Sequence, residues 1–171
     1  MNETITQRKI CILGDFSVGK TSLVRRYVEG RFEDQYLSTI GVKISRRIVD
    51  SAGGRKISLV IWDVAGSEEF NGKHTSYLQG SSGALLVCDL TRKTTLFSLR
   101  KYIARMREVS PKARFVLLAN KSDLANQFEL TQEEIASLGG EFQLSYFITS
   151  AKTGEYVEEA FAQLAGELAP V

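Results

Sequence analysis

Short apolar runs alternate along the chain with longer stretches whose apolar residues recur at helical spacing. Residues 9–13 predict a strand buried on both faces, and residues 20–29 a helix that Gly30 is placed to end. Two β-rich runs follow at 42–49 and 57–62; in the second, Ile57, Leu59 and Ile61 share one face at period two. Between them lies Asp50-Ser51-Ala52-Gly53-Gly54, whose glycines accept the positive φ of a tight turn, so the pair reads as a hairpin. Further strands are expected at 84–88, 115–119 and 146–148, and further helices at about 94–109, 131–138 and 157–168. Thr131 and Glu134 form a capping box at the start of the middle helix, each side chain closing one free amide. Strands alternating with helices define an α/β protein with helices on both faces of its sheet. The hairpin makes that six-stranded sheet mixed rather than wholly parallel.

A chain of 171 residues suits a single domain, placed at 8–169 behind a flexible segment at 1–7. Its 43% hydrophobic and 25% charged content is ordinary for a globular protein, and a net charge of +2 is too small to imply nucleic acid as a partner. Cys11 and Cys88 each fall inside an apolar strand, where buried free thiols are expected, and their spacing fits no metal pattern. No apolar stretch approaches the length of a bilayer span, the first residues lack a signal-peptide core, and the last carry no cysteine for a prenyl group. The expectation is a cytoplasmic monomer with no membrane anchor in this chain, peripheral membrane association being left to partners or to a tail outside it.

The chemistry begins at Gly14-Asp15-Phe16-Ser17-Val18-Gly19-Lys20-Thr21, which fits the phosphate-loop pattern G-x-x-x-x-G-K-[ST] between a strand and a helix. A strand delivers the chain to a glycine turn, and the next helix starts with its free amides pointing at that turn, so successive N–H groups can encircle an anion. Lys20 would reach the β- and γ-phosphates, and the Thr21 hydroxyl, followed by Ser22, would meet Mg²⁺.

Three more motifs fall at strand ends, where open α/β sheets bind ligands. Asp63-Val64-Ala65-Gly66 supplies a carboxylate that can anchor the Mg²⁺ shell through water, and a glycine amide that can approach a γ-phosphate. Asn120-Lys121-Ser122-Asp123 supplies an Asp carboxylate that accepts two hydrogen bonds from the N1–H and N2–H₂ edge of guanine, a donor pair adenine lacks. Offered ATP, such a site leaves a carboxylate unpaired, which disfavours an ATP-dependent kinase. Thr149-Ser150-Ala151-Lys152 supplies a backbone amide at Ala151 that can donate to guanine O6, while the Lys121 and Lys152 stems can cover the base faces.

With all four motifs in order and matching spacing, the chain resembles a Ras-superfamily small GTPase, most of all the Rab branch, from about residue 8 to 168. The resemblance implies the P-loop NTPase (Ras-like) fold, GTP and GDP as ligands with Mg²⁺ as cofactor, and an exchange factor, an activating protein and effectors as protein partners. It makes Thr39 the switch residue that meets Mg²⁺ and the γ-phosphate in the GTP state, and it sets Phe32 and Tyr36 beside the nucleotide. Residues around 33–41 and 64–78 become two switch segments that the γ-phosphate orders. Trp62 and Tyr77 match aromatic positions that display the nucleotide state; the third such position, usually Phe, is Ile44.

Some residues depart from the family pattern. The residue after the Gly66 position is normally Gln, which orients the attacking water; here it is Ser67, too short for that task. The implied enzyme is a GTPase of low intrinsic rate. The alternative is a pseudo-GTPase, a GTP-bound interaction module with negligible turnover. Phe16 stands where Ras proteins have Gly; its ring either crowds the γ-phosphate and an incoming arginine finger or folds away over the switches. Glu69 replaces a usual Arg, and His74, the sole histidine, lies well beyond Gly66, where a solvated or packing role is expected.

Overall fold

The strand β1 (Thr6–Leu13) sits at the middle of a sheet ordered β2-β3-β1-β4-β5-β6, formed with β2 (Val42–Ser51), β3 (Arg55–Val64), β4 (Gly83–Asp89), β5 (Arg114–Asn120) and β6 (Ser145–Thr149). Only the β2–β3 hairpin is antiparallel. The sheet is therefore mixed. The computed structural model describes residues 5–35, 38–51, 54–66 and 72–169, with residues 72–74 described by their backbone alone.

Alternation along the strands divides the core in two. Ile10, Ile12, Ile57, Leu59 and Ile61 meet helices α1 (Lys20–Glu29) and α6 (Val157–Glu167) through Leu23, Val24, Phe161 and Leu164. On that face the rings of Tyr27 and Phe161 stack with centroids 3.8 Å apart. Cys11, Leu13, Leu86 and Leu117 face the other way, toward α2 (Gly72–Leu78), α3 (Thr94–Phe97), α4 (Leu99–Val109) and α5 (Gln132–Phe142). Both cysteines are buried and free, and burial pushes the Cys88 thiol up to about 12. Among the described residues no helix is long and apolar enough to cross a membrane.

The element boundaries differ from the sequence reading in ways that have local causes. β1 takes in Thr6 and Gln7, which the apolar pattern leaves in the leading segment, because Thr6 pairs with Ile57 and Gln7 with Ser58. The stretch expected as a helix at 94–109 is α3 and α4, with Ser98 between them still in helical backbone; its amide and its hydroxyl both donate to the Thr94 carbonyl at 3.0 Å. α5 runs past Leu138 through Gly139 and Gly140 to Phe142 before Gln143 caps it in the left-handed region. A Cβ on Gly139 would sit 3.1 Å from the Leu144 carbonyl, so the missing side chain lets the chain fold straight back into β6. The capping box of Thr131 and Glu134 is present. A 3-10 helix, Ser122–Gln127, follows β5 where the pattern shows no periodicity.

Candidate functional site

β1, β3, β4 and β5 all end at one edge of the sheet, and a cavity of about 610 Å³ opens there. Its lining includes Phe16, Gly19, Lys20, Thr21 and Ser22 from the loop and α1, and Gly66, Asn120, Asp123, Ala151 and Lys152 from the later motifs. Four segments far apart in sequence thus converge on one space.

The loop after β1 is close-packed. A Cβ on Gly14 would lie 2.3 Å from the Val87 carbonyl oxygen, and one on Gly19 2.2 Å from the Asn120 side-chain amide, so only glycine lets the loop pass over β4 and β5. Ser17 takes a left-handed backbone, with φ of 63°. Lys20 opens α1, and its buried ammonium donates to the Gly14 and Asp15 carbonyls at 2.9 Å each. A Cβ on Gly66 would fall 2.5 Å from that ammonium and 2.7 Å from the Phe16 nitrogen, which sets Gly66 against the loop.

Beside Lys20, the Thr21 hydroxyl donates to one carboxylate oxygen of Asp63 at 2.6 Å and hydrogen-bonds the Thr39 hydroxyl. The other Asp63 oxygen is buried without a hydrogen-bond partner among the described residues. Burial pushes the Asp63 carboxyl up, against the pull of the Thr21 hydrogen bond and Lys20.

At the far end of the cavity Asn120 acts as a strut. Its amide nitrogen donates to the Val18 carbonyl at 3.0 Å, while its oxygen accepts the Thr149 hydroxyl and the Ala151 amide at 3.2 Å each. Lys121 turns left-handed, and its ammonium reaches the Ser17 carbonyl at 2.8 Å, leaving its stem along the cavity wall. The exposed carboxylate of Asp123 accepts the Ser150 hydroxyl at 2.7 Å.

Not every loop residue offers its side chain to the cavity. Asp15 points instead toward α4, accepting the Tyr102 hydroxyl at 3.0 Å, and Val18 and Ser150 are fully buried. Phe32 lines the cavity while packing against the α1–α6 core. Phe16 is 47% exposed, outside both cores. Tyr36, Ser67 and Glu69 lie outside the described residues, as does the His74 side chain.

The sequence reading missed a buried carboxylate. Asp89 is fully buried at the end of β4 and binds the Lys121 ammonium at 2.7 Å and Arg92 at 3.0 Å. Arg92 in turn donates to the Phe16 carbonyl at 2.8 Å. These cations hold the carbonyls of residues 16 and 17. The available signal was a carboxylate closing an apolar strand, which needs a partner if buried.

Next to the cavity, Ile44 pairs with Trp62 across the hairpin, and the Tyr77 ring stands 6.4 Å from that of Trp62. Lys9 lies over the Trp62 ring at 3.8 Å. The three positions that the resemblance marks as displaying the nucleotide state are thus neighbours, and Ile44 is 48% exposed.

A glycine loop wrapped on a buried lysine, at the strand ends of a mixed sheet, defines a P-loop α/β protein. A model of the Ras family matches residues 9–169. Rab-13 of the dog is 36% identical over 161 residues, covering 94% of this chain and 79% of that protein. Human Rab-4B is 39% identical over 158 residues, covering 92% and 74%, and Rab-4 of Dictyostelium discoideum 39% over 154, covering 90% and 75%. The chain belongs to the Ras family and is Rab-like: a small GTPase, a switch that binds GTP and GDP.

Proposed function

We propose that this GTPase is a Mg²⁺-dependent guanine-nucleotide switch with slow intrinsic hydrolysis. The observation that carries the reading is the Asp63 carboxylate, buried with one oxygen bare and the other on the Thr21 hydroxyl. A bare carboxylate oxygen beside the Thr21 and Thr39 hydroxyls suits a hard cation with oxygen ligands. Thr21 and Thr39 would hold Mg²⁺ directly and Asp63 through water; bound there, the ion supplies charge neutralisation to the phosphate oxygens. Chelating Mg²⁺ is expected to speed GDP release by about tenfold, an ordinary coupling between two ligands. Asp63→Ala is expected to release GDP fast with or without chelator. Stopped-flow release that is insensitive to chelator in the wild type would exclude the metal.

In this reading the loop amides from Gly14 to Ser22 receive the phosphates, and Lys20 transfers its donors from the Gly14 and Asp15 carbonyls to phosphate oxygens. Thr39 and Gly66 sense the γ-phosphate from the two switches. Phe32 and Tyr36 flank the nucleotide, Asn120 and Lys121 brace the loop, and Asp123, Ala151 and Lys152 meet the base. Exchange factor, activating protein and effectors would read the switches and the Ile44–Trp62–Tyr77 surface. The exposed Phe16 favours a second reading, a GTP-holding interaction module with negligible turnover.

A pH dependence follows from Lys20. Burial pushes its ammonium down to about 8 in the free protein, while Asp63 and Asp15 pull the other way. Phosphate oxygens favour the charged form, so the bound protein holds this proton to higher pH. Above about pH 8, nucleotide binding therefore takes up a proton, and affinity falls by up to about tenfold per pH unit. Calorimetry at about pH 9 in buffers of different ionisation enthalpy reads the uptake; a value of zero would separate Lys20 from the phosphates.

A further inference from the structure

We infer that Arg26 is a specificity-determining positioning residue: it holds the two carbonyls that follow the amide reading the 6-oxo group of guanine, and so seats that stretch of the loop. The inference rests on the base site proposed above. Arg26 lies in the last turn of α1, the helix that Lys20 and Thr21 begin. Its guanidinium is spent on backbone carbonyls: Nε donates to Ala151 at 2.8 Å, Nη2 to Lys152, and Nη1 to Gly30 at 3.3 Å. A planar fork suits two successive carbonyls of one loop, where a flexible ammonium would not hold both in register.

These contacts complete the anchoring of Ala151. On one side its amide donates to the Asn120 oxygen at 3.2 Å, at the cavity wall, and would share that hydrogen with the 6-oxo group; on the other its carbonyl is held by Arg26. Both torsions of this buried residue are thereby set. The rest of the loop closes on Ser150, whose carbonyl takes the Gly154 amide at 2.8 Å and whose hydroxyl takes the Thr153 amide at 3.1 Å. The first of those bonds holds the carbonyl of the peptide that carries the Ala151 amide; the peptide after it, between residues 151 and 152, is held by Arg26. The Arg26 stem also runs beside the loop: a Cβ on Gly154 would lie 3.7 Å from its Cδ. Asp123 sits on the 3-10 helix after β5, which Arg26 does not bond. One helix thus carries the phosphate lysine at its start and the brace of the O6-reading amide near its end.

The base contacts can be separated with two analogues. 6-Thioguanosine diphosphate keeps N1–H and N2–H₂ but replaces O6 with a poor acceptor. Inosine diphosphate keeps O6 and lacks the 2-amino group that Asp123 would accept. Affinities of GDP and both analogues are to be measured on the full chain for wild type, Arg26→Ala, Arg26→Gln and Arg26→Lys. Circular dichroism shows which variants are folded, and Arg26→Lys and Arg26→Gln carry the test if alanine is not. The expected result is that the preference for GDP over the thio analogue falls about tenfold in Arg26→Ala and Arg26→Gln, the worth of one hydrogen bond to a buried group. Arg26→Lys should fall between, and the preference over inosine diphosphate should stay unchanged throughout. Equal preferences in wild type and variants, or a parallel loss of both, would overturn the inference. A wild type that ignores the thio substitution while still preferring GDP over inosine diphosphate would remove the O6 contact and the inference with it. A wild type indifferent to both analogues would instead overturn the base site itself.

Discussion

Asp123→Asn is expected to lower GDP affinity by about 10²–10⁴-fold and to favour xanthosine diphosphate in its place. In the proposed base site the carboxylate accepts from N1–H and N2–H₂, and each hydrogen bond to a charged group is worth about 1.5–3 kcal/mol. Asparagine presents one oxygen and one NH₂. The Ser150 hydroxyl, which donates to Asp123 at 2.7 Å, would hold the asparagine oxygen, leaving the NH₂ toward the base. There it opposes the guanine 2-amino group, donor against donor, but meets the 2-oxo group of xanthine as donor to acceptor. Competition against a fluorescent nucleotide measures both affinities. A GDP-to-xanthosine diphosphate ratio unchanged from wild type would take Asp123 out of the base site.

Ser67→Gln is expected to raise single-turnover GTP hydrolysis by about 10²-fold, the scale that a misplacement of about 1 Å costs a reacting group. The physical deficit is one of positioning. The γ-phosphoryl is already met by Lys20, backbone amides and Mg²⁺ in the proposed site, but the water must also be held in line, and a serine hydroxyl lacks the reach and the second polar atom of a glutamine amide. Phosphate release from Mg²⁺·GTP, followed for both proteins side by side, decides between the readings. Appreciable, equal rates would mean that another group holds the water. A near-inert wild type rescued by glutamine would mean that the protein dwells in its GTP state. Two near-inert proteins would leave Phe16 as the obstacle and support the interaction module.

Much of the site is legible because its chemistry is local. Gly14 to Thr21 must bend, present amides and start a helix within a few residues, so spacing alone predicts the loop, and the structure places Lys20 and Thr21 at the start of α1. Asp63, Asn120 and Thr149 are legible because each closes an apolar strand, and parallel strands bring their ends to one edge. What was not legible depends on groups that meet across the sheet. Nothing in the spacing of Asp15 shows that its carboxylate turns to Tyr102 on α4, and nothing around Arg26 shows that it braces a loop on the far side of the chain.

The sequence by itself determined the class of fold, the two faces of the sheet and the kind of ligand, because periodicity, turn residues and phosphate-binding spacing act over neighbouring residues. Only the tertiary structure decided that, among the described residues, the Asp63 carboxylate is left with a bare buried oxygen, that burial pushes the Lys20 ammonium down to about 8, and that Asn120 ties the loop after β1 to the loop after β6. Burial, and with it the electrostatics of a carboxylate or an ammonium, is set by whatever the folded chain brings alongside, and those neighbours come from segments that no local pattern relates.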